Sequence, residues 1–176
     1  MQLSIPGITD ISSESATTLR AYGADDAANS LKADYAKNCI LARRLLERGV
    51  RFVQLFNGAY QTGGEGVSNW DGHKVLKDQY TVHGEIFDQP TAALIVDLKQ
   101  RGLLEDTIVV WAGEMGRTPH TPAISDTAGR DHHVNGYSIF LVGGGFRGGM
   151  AFGKTDDFGN SVVENELAIH DIHATI

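Results

Sequence analysis

Between positions 26 and 48 the apolar residues fall at helical spacing. Leu31, Tyr35, Cys39, Ala42, Leu45 and Leu46 share one side of a helix, which predicts an element from Asp26 to Arg48. Gly49 ends it, and Arg43, Arg44 and Arg48 occupy its last turns, where cations suit the carbonyl end of the dipole. The run "VRFVQLF" then predicts a strand from Arg51 to Phe56. A second helical pattern covers Tyr80 to Arg101, with a kink or restart at Pro90. "LLEDTIVVWAGE" predicts a turn and an apolar strand from Thr107 to Trp111, and "YSIFLVGG" a third strand. "MAFGKTDDFGN" has the turn chemistry of a short hairpin, and a terminal helix opens near His170. Residues 1–25, rich in Ser, Thr and Gly, predict an extended arm or short turns.

Helices alternating with apolar strands indicate crossover connections. The expected fold class is therefore α/β, a mainly parallel sheet flanked by helices. Residues 57–76, "NGAYQTGGEGVSNWDGHKVL", form a long glycine-rich loop, a length uncommon unless the loop carries function or moves. The 176 residues suffice for one α/β domain. The closing "AIHDIHATI" reads as the first turns of an unfinished helix, which predicts that the chain is part of a longer one.

Composition narrows the function classes. A net charge of −7 with the histidines neutral argues against a nucleic-acid partner, because phosphate backbones select a basic face, and leaves divalent cations open. The single cysteine, Cys39, rules out an internal disulfide. No apolar run approaches the roughly 20 residues of a membrane span. "MQLSIPGITDISSES" lacks the basic and apolar regions of a signal peptide.

Two glycine patterns resemble nucleotide-binding loops. Gly143, Gly145 and Gly148 match G-x-G-x-x-G, and Gly148, Gly153, Lys154 and Thr155 match G-x-x-x-x-G-K-T. Either works only where the loop opens a helix whose N-terminus faces the phosphate. "DDFGNSVVEN" follows and carries no helical stripe, so a glycine-rich turn between strands is the expected structure.

Three segments offer metal ligands: "NWDGH" with Asp71 and His73, "WAGEMGRTPH" with Glu114, Arg117 and His120, and "GRDHH" with Arg130, Asp131, His132 and His133. Mixed imidazole and carboxylate sets suit zinc, manganese or iron, and oxygen-rich subsets suit magnesium or calcium. All three segments follow or precede expected strands at one edge of the sheet, so they can converge. Arg117 and Arg130 carry planar forks that match phosphate or sulfate oxygens. The plainer alternatives are an Asp-x-His pair on a surface loop, Glu114 in an ion pair with Arg117, and arginines bound to neighbouring acids. His120, His170 and His173 read as turn or helix-start residues.

Taken in order, "FVQLF", "WDGH", "VVWAGEMGRTP", "GRDHH", "LVGGGFRGG", "FGKTDD" and "HDIHAT" resemble a sulfatase-like family of bacterial proteins placed in the alkaline phosphatase superfamily. The resemblance spans the chain from "QLSIPGITDISSESATTLRAYG" to its last residue. It implies an alkaline-phosphatase-like sandwich, incomplete here because the N-terminal half and C-terminal end are absent. It implies a divalent metal, zinc first, with calcium or manganese as alternatives, and hydrolysis of sulfate or phosphate esters. Asp71 and His73 resemble one ligand pair, Glu114 a strand-end acid, and His132 or His133 a late histidine. Three departures stand beside these matches. No histidine adjoins Glu114, the loop over residues 57–70 is expanded, and no Ser, Thr or Cys is assignable as nucleophile.

The expectation is therefore the C-terminal portion of a metal-dependent hydrolase, inactive alone. Its ligands are Asp71, His73, Glu114, Asp131, His132 and His133, with Arg117 and Arg130 binding a small anionic ester. The alternative is a non-catalytic binding or structural protein with a degenerate metal site. The resemblance also implies an exported or periplasmic protein. A truncated sheet would favour self-association through its exposed edge.

Overall fold

A computed structural model describes residues 5–57 and 69–176. Their contacts divide into two compact units, one holding the chain up to Trp70 together with Asp78–Leu103, the other Asp71–Lys77 with Leu104–Ile176.

The first unit is helical. Short helices α1 (Ile5–Thr9) and α2 (Ala16–Tyr22), with a 3-10 turn at Ile11–Ser13, precede α3 (Ser30–Glu47). The region expected as an extended arm is thus locally helical, because it carries its own caps. Ser15 Oγ accepts from the Thr18 N–H at 3.0 Å, and Gly23 ends α2 in the left-handed region at φ 77°. Asn29 caps α3 by accepting from the Lys32 N–H at 3.0 Å. Helix α4 (Leu76–Gln100) runs unbroken through the buried Pro90, so the helix does not restart there.

Helices α3 and α4 meet through Tyr35, whose ring lies tilted 6.2 Å from that of Phe87 and whose hydroxyl shares a contact of 3.3 Å with Thr91. Tyr22, Ala36, Cys39, Ile40, Ile86 and Leu98 are sealed from solvent and form the core. Burial pushes the Cys39 thiol up to about 12, so it is an inert, protonated packing group. Arg43, 3% exposed, binds three acids: Glu14 at 2.8 Å, Glu47 at 3.0 Å and Asp97 at 3.2 Å. Asp97 also accepts from the Tyr22 hydroxyl at 2.9 Å, which ties α2 to α4.

The second unit contains three antiparallel pairs. Strand β1 (Ile108–Trp111) pairs with β4 (Phe140–Gly143), β2 (Gly116–Arg117) with β3 (His132–His133), and β5 (Lys154–Thr155) with β6 (Val162–Glu164). Helix α5 (Ile169–Thr175) follows. The expected α/β class with a mainly parallel, alkaline-phosphatase-like sheet is therefore corrected. Among the described residues every ladder is antiparallel and two-stranded.

The reason is local. A parallel neighbour needs a crossover connection, commonly a helix. Between β1 and β4 the chain contains no helix, only loops and the β2–β3 pair, so it reverses and pairs antiparallel. The run Arg51–Phe56, expected as the first parallel strand, is not in a ladder, and its Phe52 and Phe56 are largely exposed. The central part of the expected glycine-rich loop, residues 58–68, lies outside the described residues.

The glycine patterns lead into β5 rather than a helix. Lys154 sits 3.5 Å from Glu164 across the β5–β6 pair. The loop therefore opens no helix of its own, although a phosphate site requires one. Among the described residues no helix is long and apolar enough to cross a membrane.

Candidate metal centre

The site lies wholly in the second unit, where two connections are laced together. Lys74 bridges Ala128, the Val75 N–H donates to the Thr127 carbonyl at 3.0 Å, and the Arg130 N–H donates to the Gly72 carbonyl at 2.8 Å. This lacing sets the "WDGH" segment beside "GRDHH". Gly129 permits it, since a Cβ there would run into the His73 carbonyl and the Lys74 amide. Thr118 holds the far side. Its N–H donates to the Asp131 carbonyl at 2.8 Å, and its hydroxyl accepts from the Asp131 N–H at 3.1 Å while donating to the His120 carbonyl at 2.9 Å.

Asp71 Oδ1 is the hub. His73 Nε2 lies 3.1 Å from it, His132 Nε2 3.2 Å and Arg117 Nη1 3.0 Å. The His73 and His132 rings are 5.0 Å apart. The hydrogen bond from His132, helped by Arg117 and His73, holds the Asp71 carboxyl below the usual carboxylate range against a smaller opposing effect of burial. One ligand atom from each of Asp71, His73 and His132 falls within 4.8 Å of the other two, and all three residues are exposed.

The other ring nitrogen of His73 is also engaged. Nδ1 lies 3.1 Å from Asp131 Oδ1. A carboxylate only accepts, so Nδ1 carries a proton there. Nε2 then faces a second carboxylate oxygen, that of Asp71. Two acceptors this close require a proton or a cation between them.

The donor set fits a zinc-type ion. Ligands about 2.0–2.2 Å from a tetrahedral ion stand about 3.3–3.6 Å from each other, slightly wider than the 3.1 and 3.2 Å found around Asp71 Oδ1. An imidazole that gives one nitrogen to the ion and the other N–H to a carboxylate is the usual companion of such sites. Three carboxylates against one guanidinium leave the cluster anionic, which a divalent ion would offset.

The remaining sequence candidates are distributed around this centre. Glu114 Oε1 is 3.6 Å from His132 Nε2 and 3.5 Å from Arg117 Nη2, at the margin of the cluster. Asp131 meets the Nδ1 side of His73, on the other edge of the ring from the shared oxygen. His133 points away. It follows His132 on β3, so the strand alternation turns it to the other face, where it is buried and its Nε2 donates to the Asn160 carbonyl at 2.8 Å. Arg130 donates to the Thr118 carbonyl at 3.4 Å, beside the centre rather than in it. His120 contributes its backbone carbonyl to Thr118.

Sequence reasoning missed the supporting residues Gly129, Thr118 and Asp156. Asp156 accepts from the Phe158, Asn160 and Ser161 N–H groups at 2.9–3.0 Å and so fixes the loop whose Asn160 carbonyl receives His133. The Asp and Gly within "DDFGN" were its only signal.

No curated protein and no solved structure matches the chain. The family model described as protein of unknown function (DUF1501) matches residues 1–176. This corrects the resemblance to a sulfatase-like family of the alkaline phosphatase superfamily, to which none of the comparisons points. Segments such as "WDGH" and "GRDHH" specify how two loops are laced, and loops of that kind do not by themselves fix a superfamily. The chain belongs to the DUF1501 family, a family of proteins of unknown function.

Proposed function

We propose that Asp71, His73 and His132 hold a divalent cation of the zinc type, and that the centre serves hydrolysis of a small anionic ester such as a sulfate or phosphate ester. The observation that carries this reading is the pair of carboxylates on His73, Asp131 at 3.1 Å from Nδ1 and Asp71 at 3.1 Å from Nε2. Asp131 sets the tautomer that gives Nε2 to a cation, and Asp71 supplies the neighbouring ligand. A bound divalent ion would polarise the ester oxygen and offset charge on the departing group. Arg117, already at the cluster, offers a fork to the remaining oxygens of the anion. Glu114 adds a carboxylate at the margin, within reach of His132.

A specific observation favours a second reading, a cation-binding or structural protein without turnover. The hydroxyl contacting Asp131, that of Thr118, is committed to two backbone groups, so no nucleophile is prepared there. Purified protein separates the two. Elemental analysis reports bound metal, and release of nitrophenol from nitrophenyl sulfate and phosphate reports turnover. Bound metal with turnover that Asp71→Ala abolishes supports the hydrolase. Bound metal without turnover supports the second reading, and absence of metal binding rejects the hydrolase and leaves a structural protein with a degenerate site.

A further inference from the structure

We propose that Arg117 is a latch on the metal centre. It neutralises Asp71 until a divalent cation arrives, and is then released to bind the substrate anion. The inference rests on the cation-site reading above and adds an order of binding to it.

Arg117 stands directly across the β2–β3 pair from His132, so the two side chains share one face. Both reach Asp71 Oδ1, Arg117 at 3.0 Å and His132 at 3.2 Å, and His73 meets the same atom at 3.1 Å. A carboxylate oxygen has two lone pairs, so His132, the Arg117 guanidinium and an arriving cation compete for it. A divalent ion bound by Asp71, His73 and His132 needs this oxygen, and its charge repels the guanidinium from it. Glu114, 3.5 Å from Nη2, keeps the displaced guanidinium beside the centre. The Arg117 side chain is only 14% exposed, so it has little room to leave. The released fork then faces the cation across the space an oxyanion would fill, in the bidentate geometry guanidinium favours.

Two consequences are measurable. Arginine and cation compete for Asp71, so removing Arg117 strengthens cation binding when no anion is present. Cation and oxyanion bind cooperatively, and linkage makes the effect equal in both directions.

The test is calorimetric titration of zinc into the full chain, with sulfate or with chloride at matched ionic strength, for wild type, Arg117→Ala and Arg117→Lys. We expect sulfate to tighten zinc binding to the wild type by at least about 5-fold, the lower range of site-to-site coupling. In chloride, Arg117→Ala binds zinc more tightly than wild type and sulfate no longer matters. Arg117→Lys, which keeps the charge without the fork, retains the competition and loses most of the coupling. Zinc binding to the wild type that sulfate does not change overturns the latch and leaves the cation site standing, a result independent of whether any variant folds. Zinc binding weakened by Arg117→Ala in a chain of unchanged thermal stability also overturns it. A wild type that binds no zinc removes the cation site and the latch together.

Discussion

His73 Nδ1 and Asp131 Oδ1 lie 3.1 Å apart, and in the proposed centre this contact leaves Nε2 for the cation. With the Nδ1 proton held by Asp131, Nε2 turns toward Asp71. Asp131→Ala is expected to lower zinc affinity by about 10–100-fold, the usual effect of removing a carboxylate behind a ligating histidine. Asp131→Asn, which still accepts from Nδ1–H without the charge, should fall between. Calorimetry checks both, and unchanged affinity in Asp131→Ala would contradict the orienting role given to Asp131.

The approach of Gly129 to His73 gives a second expectation. A methyl group at position 129 collides with backbone, not with a side chain that can swing away. Gly129→Ala should therefore cost about 1–3 kcal/mol, as overpacking does, and separate the two loops that carry the site. Urea unfolding measures the first effect and zinc titration the second.

How much of this was legible in the sequence differs by element. Helix α3 was visible because Tyr35, Cys39 and Ala42 mark its buried side at a period that few alternatives share. Strands β1 and β4 were visible as apolar runs, but their direction was not. The helix between the expected strands Arg51–Phe56 and Thr107–Trp111 suggests parallel pairing, but a loop region joins β1 to β4, and the pairing present depends on a reversal within residues 112–139 that no periodicity announces. "VRFVQLF" has the composition of a strand and lacks a ladder partner, because strand propensity describes how a segment fits a sheet rather than whether one is there. At the site, the residue types Asp71, His73 and His132 were legible from chemistry alone. The diversion of His133 required knowing that it follows His132 on a strand, and the need for Gly129 required knowing what lay against it.

In the helical unit, Arg43 is surrounded by Glu14, Glu47 and Asp97. Arg43→Ala removes the buried cation these acids share and leaves Glu14 to Arg44, at 3.1 Å, and Glu47 and Asp97 to Arg101, at 2.8 and 2.7 Å. Removing one partner of a buried ion pair costs about 3–5 kcal/mol, and the low end applies because Glu47 keeps contact with water. Chemical denaturation checks the value, and a loss within experimental error of zero would show that the network is a surface arrangement.

Asp156 provides a dependence on pH. The Asn160 N–H and the other backbone donors lower its carboxyl pKa below the ordinary value. A depressed folded pKa contributes stability that is present above the unfolded value, about 3.9, and is lost as pH falls through the folded one. Asp156→Asn cannot accept all the same N–H groups through its amide nitrogen, so it should be less stable than wild type at pH 7. The gap should close as pH falls below about 4. Urea midpoints across that range test the sign.

The central claim is that Asp71, His73 and His132 share one cation. The most direct measurement is equilibrium dialysis against zinc, with metal counted per chain, for wild type and for Asp71→Ala, His73→Ala, His132→Ala and His133→Ala. We expect about one zinc per wild-type chain, by the usual closure of a three-ligand site. Each of the first three substitutions should abolish tight binding, while His133→Ala should retain it if the fold persists by circular dichroism. Absence of zinc from the wild type, or equal zinc in the wild type and all of the variants, would contradict the claim.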